Sequence, residues 1–148
     1  MAVSERFDPT QQRAETATPL VDYTLARRSV LASLRRGRLT TTDVCDAHPE
    51  LLRAARNIGE VLESPCPVCS HSSLRVVRYV YGDELRHNNG RVVYPKEWLR
   101  ELAASHERFT CYVVEVCIDC SWNHLVRSYS AGKKYPLLRT RAVRQERG

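Results

Sequence analysis

Long hydrophobic runs are missing from this sequence: no stretch approaches the roughly 18 apolar residues that cross a bilayer. The opening MAVSERFDPTQQRAE has no apolar stretch suited to a secretory signal, so the chain reads as cytoplasmic with no membrane partner. Common catalytic motifs are absent too. There is no Gly-rich phosphate loop, no nucleophile elbow and no His-Glu-x-x-His helix, which places an enzyme with a small-molecule substrate well behind a binding module. Lysine is scarce: Lys96, Lys133 and Lys134 are the whole complement, and the other 20 basic residues are arginine. A high-GC genome produces the same bias, so arginine abundance by itself identifies no partner.

What is present in number is cysteine, six residues in a chain of 148. A reducing cytosol disfavours structural disulfides and leaves metal binding or redox chemistry as the use of paired thiols. The length fits one compact domain, or one domain with a smaller helical piece, and the 43% hydrophobic content fits a folded protein.

The net charge of +6 is unevenly placed. Residues 131–148, AGKKYPLLRTRAVRQERG, hold six basic side chains against one acidic, while the preceding segments are nearly neutral. Inside the neutral first half, Arg27, Arg28, Arg35, Arg36 and Arg38 have no acid among them. Two local basic patches are the electrostatic footprint of a polyanion-binding protein.

Along the chain, residues 1–21 are polar and without period, and read as a flexible lead. A helical unit is expected over 22–62. Its first helix begins near Asp22 as N-cap, turns Ala26, Val30, Leu31 and Leu34 inward, and stops at Gly37. TTTDV caps a short second helix, and HPELLRAARNIGE a third, with Pro49 at N1 and Gly59 as the stop. From Ser64 the texture changes to β-branched and aromatic residues, which predicts strands over 74–81, 109–117 and 121–129. HNNGRVV between the first two is a turn, and YPKEWLRELAASH a short helix opening at Pro95 with Trp98, Leu99 and Leu102 inward. The fold class is therefore α+β: a helical unit followed by a three-stranded antiparallel zinc ribbon over 63–130 with an inserted helix, and a basic tail over 131–148.

The ribbon follows from SPCPVCS and EVCIDCS, two Cys-x-x-Cys pairs separated by 47 residues. One such turn brings two sulfurs to one side, and two turns complete the tetrahedral shell of Zn²⁺. Cys66, Cys69, Cys117 and Cys120 are thus candidate ligands of one structural zinc. An iron–sulfur centre accepts four thiolates equally, and spacing does not separate the two. A thioredoxin-type motif is disfavoured, because it needs one pair at a helix N-terminus in a βαβ setting. A closed four-thiolate shell leaves no open coordination position, so the metal would supply folding free energy, not Lewis-acid chemistry. Cys111 reads as core. Cys45 and His48 form a Cys-x-x-His pair with no partner pair and read as packing of a helix turn. His71 and His124 lie within four residues of a paired cysteine and read as exposed or supporting groups. Glu115, alternating with apolar neighbours, reads either as a buried functional carboxylate or, as is commoner at such a position, as a residue that faces solvent or pairs across strands with an arginine such as Arg78 or Arg127.

The phrases DAHPELLRAARN, SPCPVC, YVYGDELR and YVVEVCIDCSWNHLVRSY, in that order, resemble an uncharacterised family of small actinobacterial proteins known as a domain of unknown function. The likeness covers about Asp22 to Tyr129 and keeps both cysteine pairs. It implies a cytoplasmic, zinc-binding protein and supplies no activity. LRRGRLTTTDV is similar to a helix-turn segment of actinobacterial integration-host-factor-like proteins, which bind DNA.

The function these features favour is a non-catalytic zinc-ribbon protein that binds nucleic acid or a nucleoprotein machine such as RNA polymerase or the ribosome. Arg27, Arg28, Arg35, Arg36 and Arg38, with Lys133, Lys134, Arg139, Arg141, Arg144 and Arg147, would neutralise phosphates. Trp122, Tyr129 and Tyr135 are candidates to stack on unpaired bases, although a tryptophan beside a knuckle more often packs over it. The alternatives are a protein–protein adaptor and a redox- or metal-responsive regulator acting through the thiolates.

Overall fold

A computed structural model describes residues 20–135; the expectations for residues 1–19 and for Arg139, Arg141, Arg144 and Arg147 fall outside the described residues. The fold is α+β, as the residue pattern indicates, but the sheet has five antiparallel strands where the sequence predicts three. In chain order the elements are β1 (Leu20–Asp22), α1 (Thr24–Arg35), α2 (Thr41–Val44), α3 (Pro49–Ile58), β2 (Glu60–Val61), β3 (Leu74–Tyr81), α4 (Trp98–Ser105), β4 (Phe109–Cys117) and β5 (Asn123–Ala131). A 3₁₀ segment, Asp83–Asn88, follows β3. The order across the sheet is β1-β5-β4-β3-β2. The added strands are short edge pieces on either side of the helical segment, and β2 pairs antiparallel with β3 through Glu60 opposite Val76 and Val61 opposite Arg75. Two or three residues carry too little alternation to announce a strand; pairing with a neighbour makes them one.

The three long strands lie where their residues place them. In β4, Phe109, Cys111, Val113, Glu115 and Cys117 alternate onto one buried face. β5 starts two residues later than expected, because Ser121 and Trp122 still belong to the turn that precedes it.

The chain separates into two compact units. One contains residues 22–78 and 113–127, and so joins the helical segment to both cysteine pairs. Its apolar cluster is built on Val44, Cys66, Leu74, Cys117 and Trp122, with Val30, Leu31 and Leu34 of α1 packed against it. Those three side chains form the inward stripe the helical period predicts; Ala26, placed on the same stripe by the sequence, is exposed. The N-cap is Tyr23 and not Asp22, which lies two positions before the first helical residue; its carboxylate still accepts the Thr24 N–H at 2.8 Å. α2 carries a full capping box, Thr40 and Asp43 exchanging side-chain and backbone bonds, which holds the Asp43 carboxyl below its usual range. In α3 the Nδ1 of His48 accepts the Glu50 N–H at 3.1 Å, and Pro49 occupies N1. The chain turns out of α3 at Gly59, where a Cβ would lie 2.5 Å from the Ala55 carbonyl oxygen.

The second unit contains residues 20–21, 79–112 and 128–135 among those described. Leu99, Leu102 and Ala103 of α4 are buried; Trp98 is half-buried, and Pro95 precedes the helix instead of opening it. Tyr81 and Tyr112 meet edge to face with ring centroids 5.4 Å apart. After β5 the chain folds back along 106–107, with Lys133 N–H bonded to the His106 carbonyl at 2.8 Å and Lys134 N–H to that of Glu107 at 3.1 Å.

Candidate metal centre

The two Cys-x-x-Cys turns are built alike. In the first, Ser70 N–H donates to the Cys66 carbonyl at 3.0 Å and Cys66 N–H to the His71 carbonyl at 2.9 Å. In the second, Ser121 N–H donates to the Cys117 carbonyl at 3.0 Å and Cys117 N–H to the Trp122 carbonyl at 2.8 Å. In each, the serine after the second cysteine sits in the left-handed region, with φ of +68° at Ser70 and +73° at Ser121. Such a conformation is uncommon outside glycine, and here it occurs twice at equivalent positions. It closes the turn and points backbone N–H groups at the sulfur: Val68 N–H lies 3.4 Å from Cys66 Sγ. Asp119 and Cys120 N–H donate likewise to Cys117 Sγ.

The hairpin between β4 and β5 carries the second turn, and the loop between β2 and β3 carries the first. Ile118 N–H bonds the Ser73 carbonyl at 3.1 Å, which ties the two together. Asp119 adds a side-chain clasp: it accepts from the Ser73 hydroxyl and pairs with His71 Nδ1 at 3.0 Å, and these bonds hold its carboxyl below the usual range.

The result is four sulfurs within 4.8 Å of one another, with Cys66–Cys120 and Cys69–Cys117 each at 3.6 Å. A tetrahedral ion with metal–sulfur bonds of about 2.3 Å requires edges of about 3.8 Å, so the set fits a single cation of that kind. The titration preferences fit as well. Burial raises Cys66 and Cys120. Burial also opposes ionisation at Cys117, but the amides of Cys120 and Asp119 and the thiols of Cys69 and Cys66 outweigh it and bring that thiol down. One thiolate is favoured and its neighbours are resisted, a conflict that a shared cation removes.

His71 and His124 stay outside this group: His71 is held by Asp119, and the His124 ring stacks on Trp122 with centroids 5.8 Å apart. Cys111 is fully buried on β4, in keeping with a core role. Cys45 is different. It is the C-cap of α2, yet its Sγ lies 3.7 Å from Cys120 Sγ, which makes it a fifth thiol at the cluster. No spacing rule would have brought it there, because it reaches the site from a separate helical segment.

Of the readings open for Glu115, the structure rules out exposure to solvent and makes it a buried carboxylate. It is 6% exposed, and its Oε2 receives Arg27 Nε at 2.8 Å and the indole N–H of Trp122 at 2.7 Å. Arg78 pairs instead with Glu60 at 3.0 Å. Arg27 thus turns its Nε to an internal carboxylate, while its side chain stays 32% exposed. Trp122, 0% exposed, and Tyr129, 3% exposed, are not available to stack on bases. Arg28, Arg35, Arg36 and Arg38 are exposed, and among the described residues no carboxylate partners them. Lys133 and Lys134 are exposed in the turn after β5, and Tyr135 is half-buried.

Fold and site together define an α+β protein with a four-cysteine centre able to hold one metal ion. Residues 14–145 match the family of unknown function DUF5318, and the chain belongs to that family. It is 44% identical over 116 residues to Uncharacterized protein Rv0049 of Mycobacterium tuberculosis (strain ATCC 25618 / H37Rv), covering 78% of this chain and 84% of that one. The figures are the same for Uncharacterized protein Mb0050 of Mycobacterium bovis (strain ATCC BAA-935 / AF2122/97). No solved structure matches the chain. Among the described residues no helix is long and apolar enough to cross a membrane.

Proposed function

We propose that this is a non-catalytic protein in which one zinc ion, held by Cys66, Cys69, Cys117 and Cys120, fixes a scaffold that presents α1 to nucleic acid. The observation that carries the reading is the division of α1 into two faces. Val30, Leu31 and Leu34 rest on the cluster closed by the cysteines, while Arg28, Arg35, Arg36 and Arg38 stand in water without carboxylate partners among the described residues. Four guanidinium groups along one helix and its exit, with no carboxylate partner among the described residues, raise the local positive potential that draws a polyanion. Zinc is preferred to a multi-iron cluster because sulfur pairs at 3.6 Å suit one central ion, and a cluster would spread its ligands further.

The test combines elemental analysis of the purified protein with titration of labelled single-stranded and duplex oligonucleotides across a salt series. One zinc per chain is expected, with binding that weakens linearly in log–log form. Replacing the four arginines by alanine should flatten that slope by about 3 units, from roughly 0.7 to 0.9 per lost phosphate contact. Binding with no salt dependence removes nucleic acid as the partner, and a slope the quadruple variant leaves unchanged removes α1 as the surface that meets it. A second reading, a protein partner, is favoured by Leu25: it is 74% exposed and lies three residues before Arg28, on the same side of α1. That reading is the one left standing if the salt series fails.

A further inference from the structure

Five of the six cysteines converge on one end of the sheet, one more than a tetrahedral ion uses. Cys45 is placed there deliberately by the surrounding bonds. Thr40 and Asp43 cap the single turn of α2, and Cys45 N–H bonds the Thr41 carbonyl at 2.7 Å. Two residues on, Ala47 N–H donates to the Ser121 carbonyl at 3.1 Å, and the Asn123 side-chain amide donates to Asp46 Oδ1 at 3.0 Å. The segment is thus stitched to the second knuckle at Ser121 and Asn123, just after Cys120, and the two sulfurs are left in van der Waals contact at 3.7 Å.

Within the cluster, Cys66 and Cys117 are buried, whereas Cys45, Cys69 and Cys120 are only partly so, and of these three Cys45 and Cys120 are the pair in contact. A small oxidant therefore meets Cys120 and Cys45 together, before it reaches the buried pair. Resting on the metal-centre reading above, we propose that Cys45 is the resolving thiol for Cys120: hydrogen peroxide converts the pair to a Cys45–Cys120 disulfide and takes one ligand from the metal site. In the first step the Cys120 thiolate attacks the peroxide, an S–O bond forms, the O–O bond breaks, and hydroxide leaves. In the second, the Cys45 sulfur attacks the sulfenic sulfur; the S–O bond breaks, and the departing oxygen leaves as water with the Cys45 proton. Two sulfurs lose one electron each and the peroxide is reduced to two molecules of water, the first hydroxide taking a proton from solvent. Closing from van der Waals contact to a bond of about 2.05 Å calls for side-chain rotation in a segment already held against its target.

The test uses the full-length, metal-loaded protein, with its metal content measured before any oxidant is added. Equimolar hydrogen peroxide is added, thiols are blocked with N-ethylmaleimide, and disulfides are mapped by peptide mass spectrometry while a chromophoric chelator follows metal release. The first cross-link should join Cys45 to Cys120, and a dithiol with added metal should reverse it. Cys45→Ser should retain its metal before oxidation and release it at least about tenfold more slowly, since a thiol held in contact reacts at an effective concentration no free thiol matches. If the first disulfides instead join members of the set Cys66, Cys69, Cys117 and Cys120, and Cys45→Ser releases metal at the wild-type rate, the proposal is overturned. A protein that carries no metal at the outset overturns the metal reading, while the disulfide map still decides the fate of Cys45.

Discussion

Glu115 offers a perturbation whose size follows from its surroundings. Its carboxylate is almost fully buried, and one oxygen serves two donors of unequal standing. The Trp122 indole is 0% exposed, so its N–H has no water to turn to once the carboxylate is gone. A hydrogen bond from a buried donor to a charged acceptor contributes about 1.5–3 kcal/mol. The Arg27 side chain is 32% exposed, so its half of the interaction is screened and contributes at most about 1 kcal/mol. Glu115→Ala should therefore cost about 2–4 kcal/mol. Glu115→Gln keeps an acceptor for the indole and loses the charge; it should cost about 1 kcal/mol. Arg27→Met should resemble the glutamine variant. For a chain of this size each kcal/mol moves the thermal midpoint by about 3 °C, so the alanine variant should melt roughly 6–12 °C lower. Thermal and urea melts with zinc in excess, read by far-ultraviolet circular dichroism and by Trp122 emission, measure the series. A Glu115→Ala protein within about 0.5 kcal/mol of wild type, the range of ordinary surface changes, would refute the argument that Glu115 anchors Trp122.

Two further outcomes follow from other parts of the molecule. Metal removal by a chelator should unfold residues 22–78 and 113–127 at 25 °C, because structural sites of this type contribute on the order of 10 kcal/mol. The effect should appear without chelator as pH falls, since protonating the thiolates releases the ion, and near-ultraviolet circular dichroism of the buried Trp122 reports both. Gly132→Ala should be destabilising by at least about 1–3 kcal/mol from backbone strain alone, because φ is +128° there. The new Cβ would also lie 2.4 Å from the Glu107 carbonyl oxygen, so hydrogen exchange at Lys133 and Lys134 should accelerate if the reasoning holds.

The four-cysteine cluster was legible because ligand spacing is a local code: each Cys-x-x-Cys turn folds on its own bonds, and the metal needs only two such turns. The long strands were legible for a similar reason, since each carries its own run of β-branched and aromatic residues. What escaped depended on contacts between distant segments. Nothing near Glu115 in sequence marks it as the acceptor for an arginine 88 residues earlier. Cys45 looked like a helix-turn residue because its neighbours are those of a helix turn; its proximity to Cys120 is a fact of tertiary packing. The basic cluster at Arg27–Arg38 was visible as charge, but only the contact with Glu115 separates Arg27 from the four that remain exposed.

The placement of β1 and β2 has a consequence for how the molecule can come apart. These brief strands fasten the two ends of the helical segment to opposite rims of the sheet, one onto β5 and the other onto β3. A segment fastened at both ends is freed only when both ladders open. The edge strands themselves, three residues long in β1 and two in β2, offer a second chain little backbone to extend.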